Sequence, residues 1–488
     1  MRMIELRNVS YTYPHTVQDA LHDLTFFLPN GSCIMVTGPS GAGKTTLCLA
    51  AAGILHHEYG GKKEGSVILD GKNVAGYSGL CELAEKIGIV FDDPEAQMIF
   101  TTVEEEILSA LEHRGLEASV IEERLSAIMN TTYLSELRNR SPHKLSGGQK
   151  QRVALAATLA LGNDILILDE PTSELDEHAT GRIVAILRNL KALGKTILLV
   201  EHKYRHFHEL VDILAVMENG RISAIGKPDT VLSDERIRKI VTADFSGIRD
   251  VSTGDPRDNT SIATSPETVI SVKNLSYSYG DIAALDSVSL DFSSGEFVAI
   301  VGENGSGKTT LVKHFNRLLF PASGDVLVKG KNTRESTVTD LARHVGLVFQ
   351  NPDHMFFADT VQEEVGFGLK NIGITDGIEI IGKALADVNL LHTKDMYPRW
   401  LSRGERQRLA IACVIAMRPE IIVLDEPTTG LDGNESRLVM EILKSLQRKG
   451  HTIVVITHNR EIADNCADRI ISMKNGRILS DQRIRGVI

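Results

Sequence analysis

Hydrophobic residues in this chain gather in short runs bounded by polar and glycine-rich stretches. Residues 32–37 (SCIMVT) and 296–301 (EFVAIV) read as buried strands, each running into a glycine turn and then a helix. Residues 165–168 and 421–424 are short apolar runs that lead into Asp-Glu, as expected for central parallel strands. Thr196–Val200 and Thr452–Ile456 have the same character. Strands alternating with amphipathic segments predict an α/β doubly wound core.

Every one of these elements occurs twice. NVSYTYPHTVQDALHDLTF recurs as NLSYSYGDIAALDSVSL, and VTGPSGAGKTTL recurs as VGENGSGKTTL. Farther on, GIVFDDP matches GLVFQNP, LSGGQKQRVALA matches LSRGERQRLAIA, and LILDEPTSELD matches IVLDEPTTGLD. The spacing is 264 residues between Lys44 and Lys308, and 256 between Ser146 and Ser402 and between Asp169 and Asp425. A period this long means duplicated domains, not a solenoid of short repeats. The expected boundaries are 1–245 and 269–488. Residues 246–268 between them are polar, hold two prolines and two glycines, and read as a flexible linker.

Length and composition agree with two filled cores. The chain has 488 residues, 42% of them hydrophobic, and single cores stop growing well short of that length. A net charge of −11 offers no basic face, so no nucleic-acid partner is expected. Cys33, Cys48, Cys81, Cys413 and Cys466 include no CxxC pair, which fits reduced thiols rather than disulfides or zinc. The opening MRMIELRNVSYTYP lacks the apolar stretch of a signal peptide. The longest apolar runs, such as 409–417, are too short to cross a bilayer. Work at a membrane would therefore go through a partner.

Two loops carry the clearest chemistry. Gly38-Pro39-Ser40-Gly41-Ala42-Gly43-Lys44-Thr45-Thr46 and Gly302-Glu303-Asn304-Gly305-Ser306-Gly307-Lys308-Thr309-Thr310 both satisfy GxxxxGK[ST] between a strand and a helix. The glycines let successive backbone amides turn inward as an anion nest, and the helix N-terminus adds partial positive charge. Lys44 and Lys308 would reach the β- and γ-phosphates of a nucleotide, with the hydroxyls of Thr45 and Thr309 on Mg²⁺. Asp169 and Asp425 end apolar strands, where a carboxylate would also serve Mg²⁺. Glu170 and Glu426 follow directly and are suited to orient or deprotonate the attacking water.

Together with LSGGQ at 145–149, these motifs make nearly the whole chain resemble the ATP-binding-cassette superfamily. The resemblance implies two tandem P-loop ATPase domains, each with a parallel-sheet core, an antiparallel β subdomain and a helical subdomain bearing the signature. It implies that Ser146, Gly147, Gly148 and Gln149 cap the γ-phosphate held by the opposite half, as Ser402 and Gly404 would in return. His202 and His458 match the family's switch histidine, and Tyr13 and Tyr279 match the aromatic that stacks on adenine. The stretch FQNPDHMFFADTVQEEVGFGLKNIG, 349–373, looks like the ATPases of energy-coupling-factor importers of vitamins or transition-metal ions. Implied partners are a transmembrane coupling protein and a small integral substrate-binding subunit, at the cytoplasmic face of the membrane. The fused halves would pair with each other, without a homodimer.

The resemblance also implies two unequal sites. One joins Lys308, Gln350, Asp425, Glu426 and His458 to LSGGQ and matches the pattern throughout. The other joins Lys44, Asp169, Glu170 and His202 to Leu401-Ser402-Arg403-Gly404-Glu405. There Arg403 replaces a glycine, Glu405 replaces the glutamine, and Asp92 stands where the family has its Mg²⁺- and water-contacting glutamine. A carboxylate at 92 can ligate Mg²⁺ but adds negative charge beside a polyanion. Two other functions stay open: a soluble tandem cassette protein acting on ribosomes or DNA, and the fused ATPase of a sugar importer. The expected outcome of the asymmetry is that Glu426→Gln slows steady-state ATP hydrolysis far more than Glu170→Gln does. Equal losses would remove it.

Overall fold

Alternation sets the first sheet. In β1 (Ile4–Thr12) and β2 (Leu21–Leu28), Ile4, Leu6, Leu21, Leu24, Phe26 and Leu28 are buried, while Glu5, His22, Thr25 and Phe27 are not. One face of an antiparallel sheet therefore lies on the core. The computed structural model describes residues 4–14, 16, 18–112, 117–242, 245, 248, 267–374 and 376–484. They form two compact units, one of Met1–Ala243 with Asp432–Asn434 and one of Asp244–Leu431 with Glu435–Ile488.

In the first unit the remaining strands are β3 (Cys33–Thr37), β4 (Lys62–Leu69), β5 (Lys72–Asn73), β6 (Ile87–Val90), β7 (Ile165–Asp169), β8 (Thr196–Val200), β9 (Ile213–Glu218) and β10 (Arg221–Gly226). One sheet has the order β2-β1-β4-β5, and the other β10-β9-β3-β8-β7-β6. The second sheet is parallel from β9 to β6, with β10 antiparallel at its edge. All five residues of β3, β7 and β8 are buried, which explains their unbroken apolar runs: both faces are covered.

The second unit repeats this plan. Its strands are β11 (Thr268–Tyr279), β12 (Ile282–Ser293), β13 (Phe297–Val301), β14 (Ser323–Val328), β15 (Lys331–Asn332), β16 (Val345–Val348), β17 (Ile421–Asp425), β18 (Thr452–Ile456), β19 (Arg469–Lys474) and β20 (Arg477–Arg483). They form sheets of order β12-β11-β14-β15 and β16-β17-β18-β13-β19-β20.

Strand ends differ slightly from the sequence reading. Ser32 is not in β3, because its amide and hydroxyl both turn back to the carbonyl of Pro29. β7 and β17 run one residue farther, since Asp169 and Asp425 still pair with Val200 and Ile456 in the ladder. Of the expected linker 246–268, only Ile248, Glu267 and Thr268 are among the described residues. Ile248 is buried and Thr268 already belongs to β11.

Each unit also carries a helical part. In the first, helices Val103–Glu112, Ala118–Thr131 and Gly147–Ala160 pack through Ile107, Leu111, Leu125, Met129 and Val153. The glutamates of this region do not all face water. Glu106 is buried and accepts the amides of Ile99 and Phe100, and Glu364 does the same for Phe357 and Ala358. These carboxylates tie the preceding loop to the helix.

Where strand meets helix the packing leaves no spare room. A Cβ on Gly346 in β16 would drive into Val414, with Pro419 3.0 Å away. Gly346→Ala should lower stability by about 1–3 kcal/mol in equilibrium denaturation, as overpacking does, with the secondary-structure signal retained.

Candidate functional site

Three adjacent parallel strands deliver the site in each unit. The phosphate loop leaves β3 or β13, the acidic pair ends β7 or β17, and the histidine follows β8 or β18. These are carboxyl ends of neighbouring strands, where α/β sheets bind ligands.

The loop is shaped by glycines under constraint. A Cβ on Gly38 would strike the carbonyl oxygen of Met217, and one on Gly302 that of Met473. Gly41 (φ 77°) and Gly305 (φ 81°) have the opposite surroundings: a Cβ there would meet nothing within 4 Å. The loop is thus pinned at its root and open at its tip, as an anion cradle must be. Lys44 is buried, and its Nζ donates to the carbonyls of Gly38 (2.9 Å) and Pro39 (3.0 Å). Burial pulls its pKa down. Lys308 donates likewise to Gly302 (2.7 Å) and Glu303 (2.8 Å).

The aspartates of the acidic pairs are buried. Asp425 Oδ2 accepts from the Thr309 hydroxyl at 2.7 Å, and Asp169 is hydrogen-bonded to Thr45. The other oxygens, Asp169 Oδ1 and Asp425 Oδ1, are buried with no hydrogen-bond partner. Burial pushes the Asp169 carboxyl up to about 7, and it pushes Asp425 in the same direction. Glu170 (φ 47°) and Glu426 (φ 50°) both adopt left-handed backbone, which glutamate rarely takes. Such strain persists where surrounding structure enforces it, often at functional sites. Here the amide of each glutamate is fixed to the neighbouring strand, at Val200 O (2.9 Å) or Ile456 O (3.0 Å). The histidines meet them: His202 Nε2 lies 2.9 Å from Glu170 Oε1, and His458 Nδ1 lies 2.9 Å from Glu426 Oε2.

Among the described residues, no group of three His, Cys, Asp or Glu side chains is placed to hold a metal unaided. The unpartnered aspartate oxygens beside Thr45 and Thr309 instead fit Mg²⁺, which favours hard oxygens and takes one or two protein ligands with substrate phosphates.

The signatures open the helices Gly147–Ala160 and Arg403–Ala416. Ser146 and Ser402 are their N-caps, each in a capping box. Gln149 accepts the Ser146 amide at 2.9 Å, and Glu405 accepts the Ser402 amide at 2.8 Å, so this exchange keeps the cap. Arg403 lays its guanidinium against Gly430 of its own unit. Gly148 and Gly404 are buried against Ala179 and Glu435. Tyr13 is half-buried with its hydroxyl 3.2 Å from that of Thr46, whereas Tyr279 is 48% exposed. Asp92 is exposed but close enough to Asp169 to raise its pKa. Gln350 is exposed just beyond β16.

One residue escaped the sequence reading. Glu201 is fully buried, accepting the Thr172 amide (2.9 Å) and hydroxyl (2.5 Å) on Oε1 and the His202 amide (3.1 Å) on Oε2. It ties the loop after Glu170 to the histidine. An acid ending an apolar strand, where the second copy has Thr457, was the available signal.

The raised Asp169 has a consequence for stability. A carboxyl whose folded pKa exceeds its unfolded value holds a proton that unfolding releases. Its contribution is present at low pH and lost as pH rises through about 7. Without nucleotide, the melting temperature of the chain should therefore fall more between about pH 5 and about pH 8 than that of Asp169→Asn. Parallel melting curves for the two would show that the carboxyl is not shifted.

Comparison with known proteins places this geometry. The family described as ABC transporter matches residues 21–173 and 285–429, each stretch holding one phosphate loop and one Asp-Glu pair. A protein of Methanosarcina mazei, provisionally named ABC transporter ATP-binding protein, is 50% identical over 485 residues, covering 98% of this chain and 95% of that one. A protein of Methanosarcina acetivorans with the same provisional name is 49% identical over 486 residues, 99% of this chain and 91% of that one. A solved chain of Clostridium perfringens, cbiO1, described as part of the ABC transporter complex cbiONQ, is 34% identical, covering 44% of this chain and 88% of its own, at TM-score 0.42. With both domains matched and relatives aligned from end to end, this chain belongs to the ABC transporter family as an ATP-binding, ATP-hydrolysing member.

Proposed function

We propose that the chain is the ATPase motor subunit of an energy-coupling-factor importer, hydrolysing ATP at two composite sites of unequal rate, each completed by the other half's signature. The observation that carries the hydrolytic part is the arrangement of Glu426. Its Oε2 is held by His458 Nδ1 (2.9 Å) and by the Thr429 hydroxyl (3.3 Å), while Oε1 is buried with no hydrogen-bond partner. One oxygen is fixed and the other is left to orient a water and take its proton. As that water's oxygen bonds to the γ-phosphorus, the bond from phosphorus to the bridging oxygen breaks, leaving ADP and phosphate. Lys308 and the loop amides hold the phosphates. Thr309 and Asp425, with Gln350, would hold Mg²⁺, which when bound neutralises phosphate charge. Lys44, Thr45, Asp169, Glu170 and His202 form the slower counterpart, with Asp92 in the glutamine's place.

A membrane partner is supported by the second unit's surface. Among the described residues no helix is long and apolar enough to cross a membrane. Between the helical part and the core, a cavity of about 480 Å³ is lined by Leu318, Phe349, Met355, Phe357, Phe367 and Met417, among others. Phe357 and Phe367 stack edge to face at 4.3 Å yet remain 63% and 44% exposed. Exposed aromatic pairs at a groove suit an amphipathic helix from a coupling protein.

The test is an affinity pull-down of the tagged chain from detergent-solubilised host membranes, read by mass spectrometry. The expected catch is one multi-spanning protein and a second small integral subunit, both lost by about tenfold or more with Phe357→Asp, as for a hot-spot residue. Ribosomal or DNA-repair proteins, with no membrane protein, would overturn the reading.

A further inference from the structure

The duplication provides an internal control for the second signature. Where the first unit has Gly147, Glu174 and Ala179, the second has Arg403, Gly430 and Glu435. In the first unit a Cβ on Gly147 would find only Leu175, at 4.0 Å. In the second, the Arg403 guanidinium fills the space directly over Gly430, where any Cβ would overlap it. The backbone differs too. Gly430 has φ 70°, while Glu174 is not among the left-handed residues. The arginine and the glycine are thus a matched pair: a side chain at 430 would displace the guanidinium, and only glycine adopts that φ without strain.

This pair adjoins the residue that holds the hydrolytic carboxylate. The turn after Glu426 is closed by the Thr429 amide to the Glu426 carbonyl (3.2 Å) and the Leu431 amide to the Thr428 carbonyl (3.2 Å). Thr429, next to Gly430, donates its hydroxyl to Glu426 Oε2 at 3.3 Å. Arg403 itself is fixed from behind, because it follows Ser402 in a capped helix whose Arg408 pairs with Glu435. A planar guanidinium on a rigid helix start is a better clamp for a loop backbone than a lysine would be.

We propose that Arg403 is a positioning residue for Glu426: laid over Gly430, it fixes the turn from which Thr429 holds the glutamate. The inference rests on the reading of Glu426 above. It makes the altered signature a support for hydrolysis in its own half, beyond any effect on the nucleotide it would cap.

Steady-state ATP hydrolysis by the full chain tests it, with Arg403→Gly placed in Glu170→Gln and in Glu426→Gln backgrounds. Glycine at this position is tolerated by the equivalent helix of the first unit, so the fold should hold, and an unchanged melting temperature checks that. With Glu170→Gln, kcat should drop about tenfold with KM for ATP within about twofold, as for a misplaced catalytic group. Arg403→Lys should fall between. A drop confined to the Glu426→Gln background would show that Arg403 acts only as a signature residue and would overturn the proposal. So would a KM rise at constant kcat. If Glu426→Gln alone left hydrolysis intact, the parent reading would fail and take this one with it.

Discussion

A carboxylate buried at the end of an apolar strand is the constraint on which each unit's site depends. Asp169 and Asp425 are at most 5% exposed, at the last rung of strands whose other four residues are wholly apolar. Such a group is costly in its charged form unless cations or hydroxyls gather around it. The threonine that opens the neighbouring helix answers one oxygen, and the phosphate-loop lysine lies close behind. Placing that helix requires the loop root to press on the next strand, which only Gly38 and Gly302 allow. The left-handed turn at the following glutamate is then the chain's way out of the sheet.

Comparing the copies separates what this constraint fixes from what it leaves free. Fixed are the left-handed glutamates, the lysine bonds to the loop carbonyls and the capping boxes. Even the exchange of Gln149 for Glu405 keeps the same bond to the cap amide. Free are the means of holding the surrounding loops. The first copy uses buried Glu201 to join Thr172 to His202, whereas the second has Thr457 there and clamps its loop with Arg403.

How much of this the sequence reveals depends on whether the cause is local. Thr196–Val200 and Thr452–Ile456 are legible to the residue, because a fully covered strand must be apolar from end to end. β7 and β17 read one residue short, since an apolar pattern stops at an acid that the ladder still includes. The phosphate loops are legible because glycine spacing is itself the backbone requirement. Nothing in the letters Asp-Glu announces a positive φ at Glu170 or Glu426. Arg403 reads as bulk beside a phosphate, and only packing reveals that it lies on Gly430, 27 positions away.

The clamp of Arg403 on Gly430 has a bearing on why two such domains are joined. In a symmetric pair made from one repeated chain, every substitution appears in both copies at once. An arginine that suits one signature would then also burden the other. Covalent fusion breaks that bond between the copies, so each position can differ from its twin. The second half holds an arginine together with its complementary glycine, and the first holds LSGGQ. What the single chain gains from its duplication is independent inheritance: two engines of common descent, each open to its own specialisation.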